Sequence, residues 1–245
     1  MNQTPNAHTA WESIALHLIP GVLLTALYFA IAPAIMQAGY PPLMALLLCI
    51  LVILLPVELG ILYCQGRKLN GRFSLEGVLL NRERIPLWQY FAFVPPLLIW
   101  AAAAFILLTP VDEYFIRTWF AWIPAWATTG LSLASVTHYS HAALFHTTLM
   151  AFLLNGILGP VVEELYFRGY LLPRIPASRT WAPLINVLLF SLYHLFSPWQ
   201  NITRIVALIP LVYAVSWKRN LYLSMLTHCL LNTLGMLSLL ALAMR

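Results

Sequence analysis

The sequence predicts an all-α integral membrane protein, a single domain over residues 1–245 built as a bundle of about seven to eight transmembrane helices. Three observations predict it. The 245 residues are 61% hydrophobic and 9% charged, whereas a soluble domain carries about 25% charged residues. Apolar runs of spanning length recur along the whole chain rather than in one anchor. The basic residues gather in the short stretches between those runs. A mean hydropathy of +0.81 fits the same class. The net charge of +5 is matched to anionic lipid headgroups of the bilayer, not to nucleic acid, because it sits in interhelical segments.

A span needs about 20 mainly apolar residues. In chain order this predicts helices over 14–36, 43–63, 90–109, 147–172, 181–197, 203–217 and 221–243, the sixth being short. No Lys or Arg precedes Arg67, so the first run is expected to be a span rather than a cleaved signal. Residues 110–146 mix Asp112, Glu113 and Arg117 with Trp119, Trp122 and Trp126, as an interfacial segment would; a further helix can hide there. The polar stretch 65–89 is expected to be a solvated linker with a short interfacial helix. Cys49, Cys64 and Cys229 form neither a disulfide framework nor a zinc spacing.

Lys and Arg placement sets the orientation. Arg67, Lys68, Arg72, Arg82 and Arg84 lie in 64–89, Arg168, Arg174 and Arg179 around the next connection, and Lys218 and Arg219 before the last helix. With those regions cytoplasmic, ten of the thirteen basic residues lie inside, leaving Arg117, Arg204 and Arg245 outside. The N-terminus is then expected to be cytoplasmic, in a multi-pass membrane protein.

Within these spans a few polar groups stand out. An ionisable side chain at membrane depth costs roughly 2.5–3.5 kcal/mol on insertion scales and marks function by default. In "VVEELYFRGYLL", Glu164 and Arg168 are four apart on one helix face and can neutralise each other. Glu163 points about 100° away and has no such local partner. "FSLYHL" places His194 one turn after Phe190, and "THCLLN" places His228 and Asn232 four apart. Counted from the nearest cytoplasmic turns at about 1.5 Å per residue, all four lie roughly 13–20 Å deep. One buried polar cluster explains a shared depth on three helices better than chance does. Peptide hydrolysis needs a base for water and donors for the developing negative charge, and this set contains both.

The motifs EExxxR (Glu163, Glu164, Arg168), FxxxH (Phe190, His194) and HxxxN (His228, Asn232), in that order on apolar helices, resemble the type II CAAX prenyl endopeptidases and their bacterial relatives, the CPBP or Abi intramembrane proteases. They define a catalytic core at about 147–240. The resemblance implies a bundle, commonly of eight helices, with a polar cavity open to the cytoplasmic side. It implies that Glu163 and His194 activate water, that His228 and Asn232 stabilise the oxyanion, and that Glu164, Arg168 and Phe190 give structural support. The substrate would be a membrane-anchored peptide or protein, prenylated or not. Zinc is left open: Glu163, His194 and His228 could supply three ligands with one open position, or act without metal. There is no HExxH and no GxSxG element. The rival classes are a proton-coupled transporter, weakened by the absence of paired repeats, and a catalytically silent immunity or scaffold protein.

Overall fold

The computed structural model describes residues 7–128 and 138–243. Among them are nine helices: α1 (Ala10–Gln37), α2 (Pro42–Asn70), α3 (Leu87–Leu107), α4 (Thr109–Thr118), α5 (Ala125–Thr128), α6 (His141–Arg174), α7 (Trp181–Tyr193), α8 (Asn201–Lys218) and α9 (Leu221–Ala243). No strand occurs among the described residues beyond an isolated bridge, Arg82 to Asn220. The all-α bundle predicted from composition is what forms.

Four helices, α1, α2, α3 and α6, are long and apolar enough to cross a membrane, and they match four of the runs read as spans. Their solvent-facing sides carry large exposed apolar residues such as Trp11, Phe91, Ile99 and Ile106. That face would be a liability in water and suits lipid. In the uncertain 110–146 region, α4 and α5 occur, and residues 129–137 lie outside the described set.

Lipid gives helices no hydrophobic reason to associate, so packing and interhelical hydrogen bonds hold such a bundle, each bond worth roughly 0.6–2 kcal/mol. Tyr166 on α6 donates to the Leu16 carbonyl of α1 at 2.7 Å. Asn186 of α7 donates to the Phe167 carbonyl at 3.1 Å and to His17 Nε2 at 3.1 Å. The His17 Nδ1–H is committed to the Ser13 carbonyl at 2.6 Å, which leaves Nε2 as the acceptor. Gly21 lets α1 touch the end of α7: a Cβ there would overlap the Tyr193 carbonyl.

Two departures from the sequence expectation shape the site. First, α7 stops at Tyr193, where a helix to residue 197 was expected. His194 leaves the helix at φ −80°, ψ 54°, and Ser197 is non-helical at φ −141°, ψ 58°, the following Pro198 disfavouring helical geometry before it. At about 1.5 Å per residue, thirteen residues of α7 carry the chain only about 20 Å. The turn to α8 therefore lies inside the bundle, where irregular backbone is tolerated if it lines a cavity. Second, the stretch after α2, mostly exposed over 71–86 as a solvated linker would be, carries no helix of its own. It folds back onto the end of α6, burying Val78 and Leu79. This segment supplies donors to two carbonyls near the end of α6: Leu80 N–H donates to Gly169 at 2.8 Å and Asn81 Nδ2 to Arg168 at 3.0 Å.

The same end of the bundle gathers other segments. His8 N–H donates to the Arg174 carbonyl at 2.9 Å, and Leu221 N–H to Asn81 at 2.7 Å. Glu83 pairs with Arg219 at 3.0 Å. The N-terminal segment and all three regions assigned to one side by charge thus meet at one end.

Candidate functional site

The site sits where α6 changes its winding. Two segments of α6, Ala151–Leu158 and Glu164–Leu171, have π-helical turns, in which each N–H reaches five residues back and one extra residue is accommodated. Glu163 and Glu164 fall at the junction before the second. Both point into protein: Glu163 is 6% exposed and Glu164 is fully buried.

Glu164 meets Arg168 across 3.3 Å with both side chains completely sequestered, as the i, i+4 spacing predicts. The Arg168 guanidinium lies 4.1 Å above the Phe190 ring, which gives the cation an aromatic face in place of water. Phe190 in turn packs edge-on against Phe167 at 4.8 Å and His194 at 4.8 Å. Glu164 has a second partner that the sequence did not indicate: its Oε1 receives His228 Nδ1 at 2.9 Å. One carboxylate therefore joins α6 to α9 and orients a histidine.

The two histidines are fixed in the same way. His194 Nδ1 lies 2.8 Å from the Phe190 carbonyl, which can only accept, so Nδ1 carries the proton and Nε2 keeps its lone pair. His228 Nδ1 donates to Glu164, and its Nε2 stands 3.9 Å from Glu163 Oε2. Asn232 Nδ2 donates to the Asn155 carbonyl at 2.8 Å, and Asn155 belongs to the first π segment. Glu163, His194, His228 and Asn232 all line one cavity of about 600 Å³. The structure thus brings the four residues into one space, with Phe190 beside them in its wall and Glu164 and Arg168 packed behind.

Sequence reasoning missed three participants. Glu58 of α2 is fully buried, with Glu163, Glu164 and Arg168 as its charged neighbours. The Tyr193 hydroxyl faces both Glu58 and Glu163. An isolated glutamate in "LLPVELGIL" was itself a signal at membrane depth, but no motif tied it to the others. Arg204, which the charge count could place only on one side of the membrane, is 7% exposed and lines the cavity. It escapes the surface because Ser191, Ser197, Gln200 and Asn201 supply acceptors around it.

As for a metal, no three His, Cys, Asp or Glu side chains among the described residues converge as a ligand set. Both histidines have Nδ1 engaged, which would leave only Nε2 for an ion. Glu163, His194 and His228 share a cavity without forming a three-donor cage in this geometry. The three cysteines are free.

Comparison with known proteins bears on the same stretch of chain. Residues 145–234 match a family model described as Rce1-like: Type II CAAX prenyl endopeptidase Rce1-like. The match contains all three motifs and supports the resemblance they carry. No curated protein and no solved structure matches the chain.

Proposed function

We propose that this chain, similar over residues 145–234 to the type II CAAX prenyl endopeptidases, is an intramembrane endopeptidase that cleaves a membrane-associated peptide. It would lie in the cell membrane with a cytoplasmic N-terminus and a cavity reached from the cytoplasmic side. The observation that carries the reading is the convergence of Glu163, His194, His228 and Asn232 on one cavity with both imidazoles already oriented.

Each residue then has a role consistent with its bonds. A water in the cavity gives a proton to Glu163, assisted by the free Nε2 of His194, as its oxygen attacks the scissile carbonyl carbon. The carbonyl oxygen takes up negative charge. An N–H of Asn232 and Nε2–H of His228 are the donors suited to it. A donor role for His228 requires protons on both ring nitrogens, and Glu164 is the counter-charge that position calls for. When the C–N bond breaks, the proton held by Glu163 passes to the departing amine nitrogen. Glu164 and Arg168 do no proton transfer; they hold His228 and Phe190 in place.

The test is cleavage of a membrane-anchored peptide by purified Glu163→Gln protein shown to be folded. The variant keeps the shape and loses the base, so cleavage should nearly vanish. Cleavage at the wild-type rate would refute the assigned roles. A transporter would instead lose proton-coupled flux in this variant and never cut peptide.

A further inference from the structure

Arg204 is a cation without an anion. Its guanidinium contacts are the Ser191 carbonyl at 3.4 Å, Asn201 Oδ1 at 3.2 Å, Ser197 Oγ at 2.8 Å and Gln200 Oε1 at 3.5 Å. All four are neutral, and two are at the long limit of a hydrogen bond. No carboxylate lies within 4 Å of it among the described residues. Asp112 accepts from Thr203 at 2.5 Å and influences Arg204 only through space. On the cavity side Glu163 acts on it at a distance as well. The contrast with Arg168 is instructive. Arg168, equally buried, has its carboxylate at 3.3 Å, as buried charges ordinarily do.

The surroundings of Arg204 are shaped for a visitor rather than for a structural pair. Its side chain is 7% exposed, yet it forms part of the wall of the cavity that holds Glu163 and His194. Its neutral contacts come mainly from residues 197–201, the turn between α7 and α8 that begins at His194. Those contacts hold the guanidinium in one orientation. A planar guanidinium so held is suited to two parallel hydrogen bonds with a carboxylate.

We propose that Arg204 is the carboxylate-binding subsite of the cavity, receiving a carboxylate of the peptide whose bond is cut beside Glu163. This rests on the endopeptidase reading. A carboxylate on a peptide comes either from its C-terminus or from an Asp or Glu side chain. The subsite would place the scissile bond at a fixed separation from that group, which makes Arg204 a specificity-determining residue.

The experiment uses the full chain in detergent or vesicles and three versions of one cleavable membrane-anchored peptide. The first has a free C-terminal acid, the second a C-terminal amide, and the third an amide with an internal Asp near the cut. Hydrogen bonds to a charged group support an expected preference of about 10- to 100-fold in kcat/KM for a carboxylate-bearing peptide over the plain amide. Preference for the first peptide assigns the C-terminus, and preference for the third assigns the side chain. Arg204→Gln should shrink the preference toward one, mainly through KM, while Arg204→Lys retains part of it. A purely structural Arg204 would slow all three peptides equally and leave their ratios intact. Equal cleavage of all three by the wild type would overturn the subsite and leave the endopeptidase reading standing, whereas no cleavage of any peptide would overturn both. The wild-type comparison decides the matter even if Arg204→Gln does not fold.

Discussion

Replacing Arg168 with methionine tests what the buried pair does. The substitution leaves Glu164 fully buried with His228 as its remaining partner at 2.9 Å. Stranding one member of a buried ion pair costs about 3–5 kcal/mol. Methionine fills much of the same space, and its sulfur can rest against Phe190, offsetting part of the lost contact 4.1 Å above that ring. For a chain of this size each kcal/mol moves the midpoint by roughly 2–4 °C, so Arg168→Met should fall about 6–20 °C. The double variant Glu164→Leu, Arg168→Met removes the stranded charge as well. What remains is the His228 Nδ1–H without an acceptor, about 1–3 kcal/mol. The double variant should therefore melt above the single one by the equivalent of roughly 2 kcal/mol. Peptide cleavage should stay low, because His228 has lost the group that orients it. Thermal unfolding in detergent, followed beside a cleavage assay, reads both quantities. A single variant as stable as wild type, or a double variant no more stable than the single, would refute the account of Glu164 and Arg168 as a structural pair.

Asn232→Ala removes one donor from the proposed oxyanion position, so cleavage should slow about 10²–10³-fold, with a stability loss of only roughly 0.6–2 kcal/mol from the missing bond to the Asn155 carbonyl. An unchanged rate would remove Asn232 from the chemistry. Gly21→Ala should destabilise by about 1–3 kcal/mol, because the new Cβ overlaps the Tyr193 carbonyl. Gly60→Ala, with open space around it, should not, and equal melting of the two variants would contradict the close approach of α1 to α7. Orientation is read from Cys64, which is free and exposed: an impermeant maleimide should label it in inside-out vesicles and not in intact cells. Rapid labelling from outside would reverse the orientation.

Most of the bundle was legible because spanning helices are written in composition. Length and apolarity alone located the cores of α1, α2, α3 and α6. The Glu164–Arg168 pair was legible for a different reason, since i, i+4 spacing is a local rule. What escaped were contacts with no sequence period. Glu58 joins Glu163 from a helix more than a hundred residues away, and nothing in its own run points to a partner. The end of α7 at Tyr193 depends on Pro198, four residues past His194, and it turned an expected helical histidine into one at a buried corner. Arg204 entered the sequence reading only as one basic residue in a count of sides. Such a count says nothing of burial, which here depends on a chain that reverses direction inside the bundle and surrounds the cation with acceptors.

Each wide turn of α6 holds one residue more than α-helical winding needs, and so acts as a phase shifter between two parts of one rod. Downstream of Glu164, the rotation set by Glu164–Leu171 presents Tyr166, Phe167 and Tyr170 to the interior. Upstream, Ala151–Leu158 sets Asn155 against Asn232. Loss of a single residue from either segment lets that turn relax to ordinary winding with its flanks still in phase, whereas the same loss from the α-helical stretch Gly159–Glu163 between them rotates everything beyond it by about 100°. Point substitutions alter one side chain of this site, but a one-residue deletion in 159–162 would re-aim Glu163 relative to Asn155 while leaving both groups present. In-frame length changes in α6 are thus a more severe kind of lesion than composition changes.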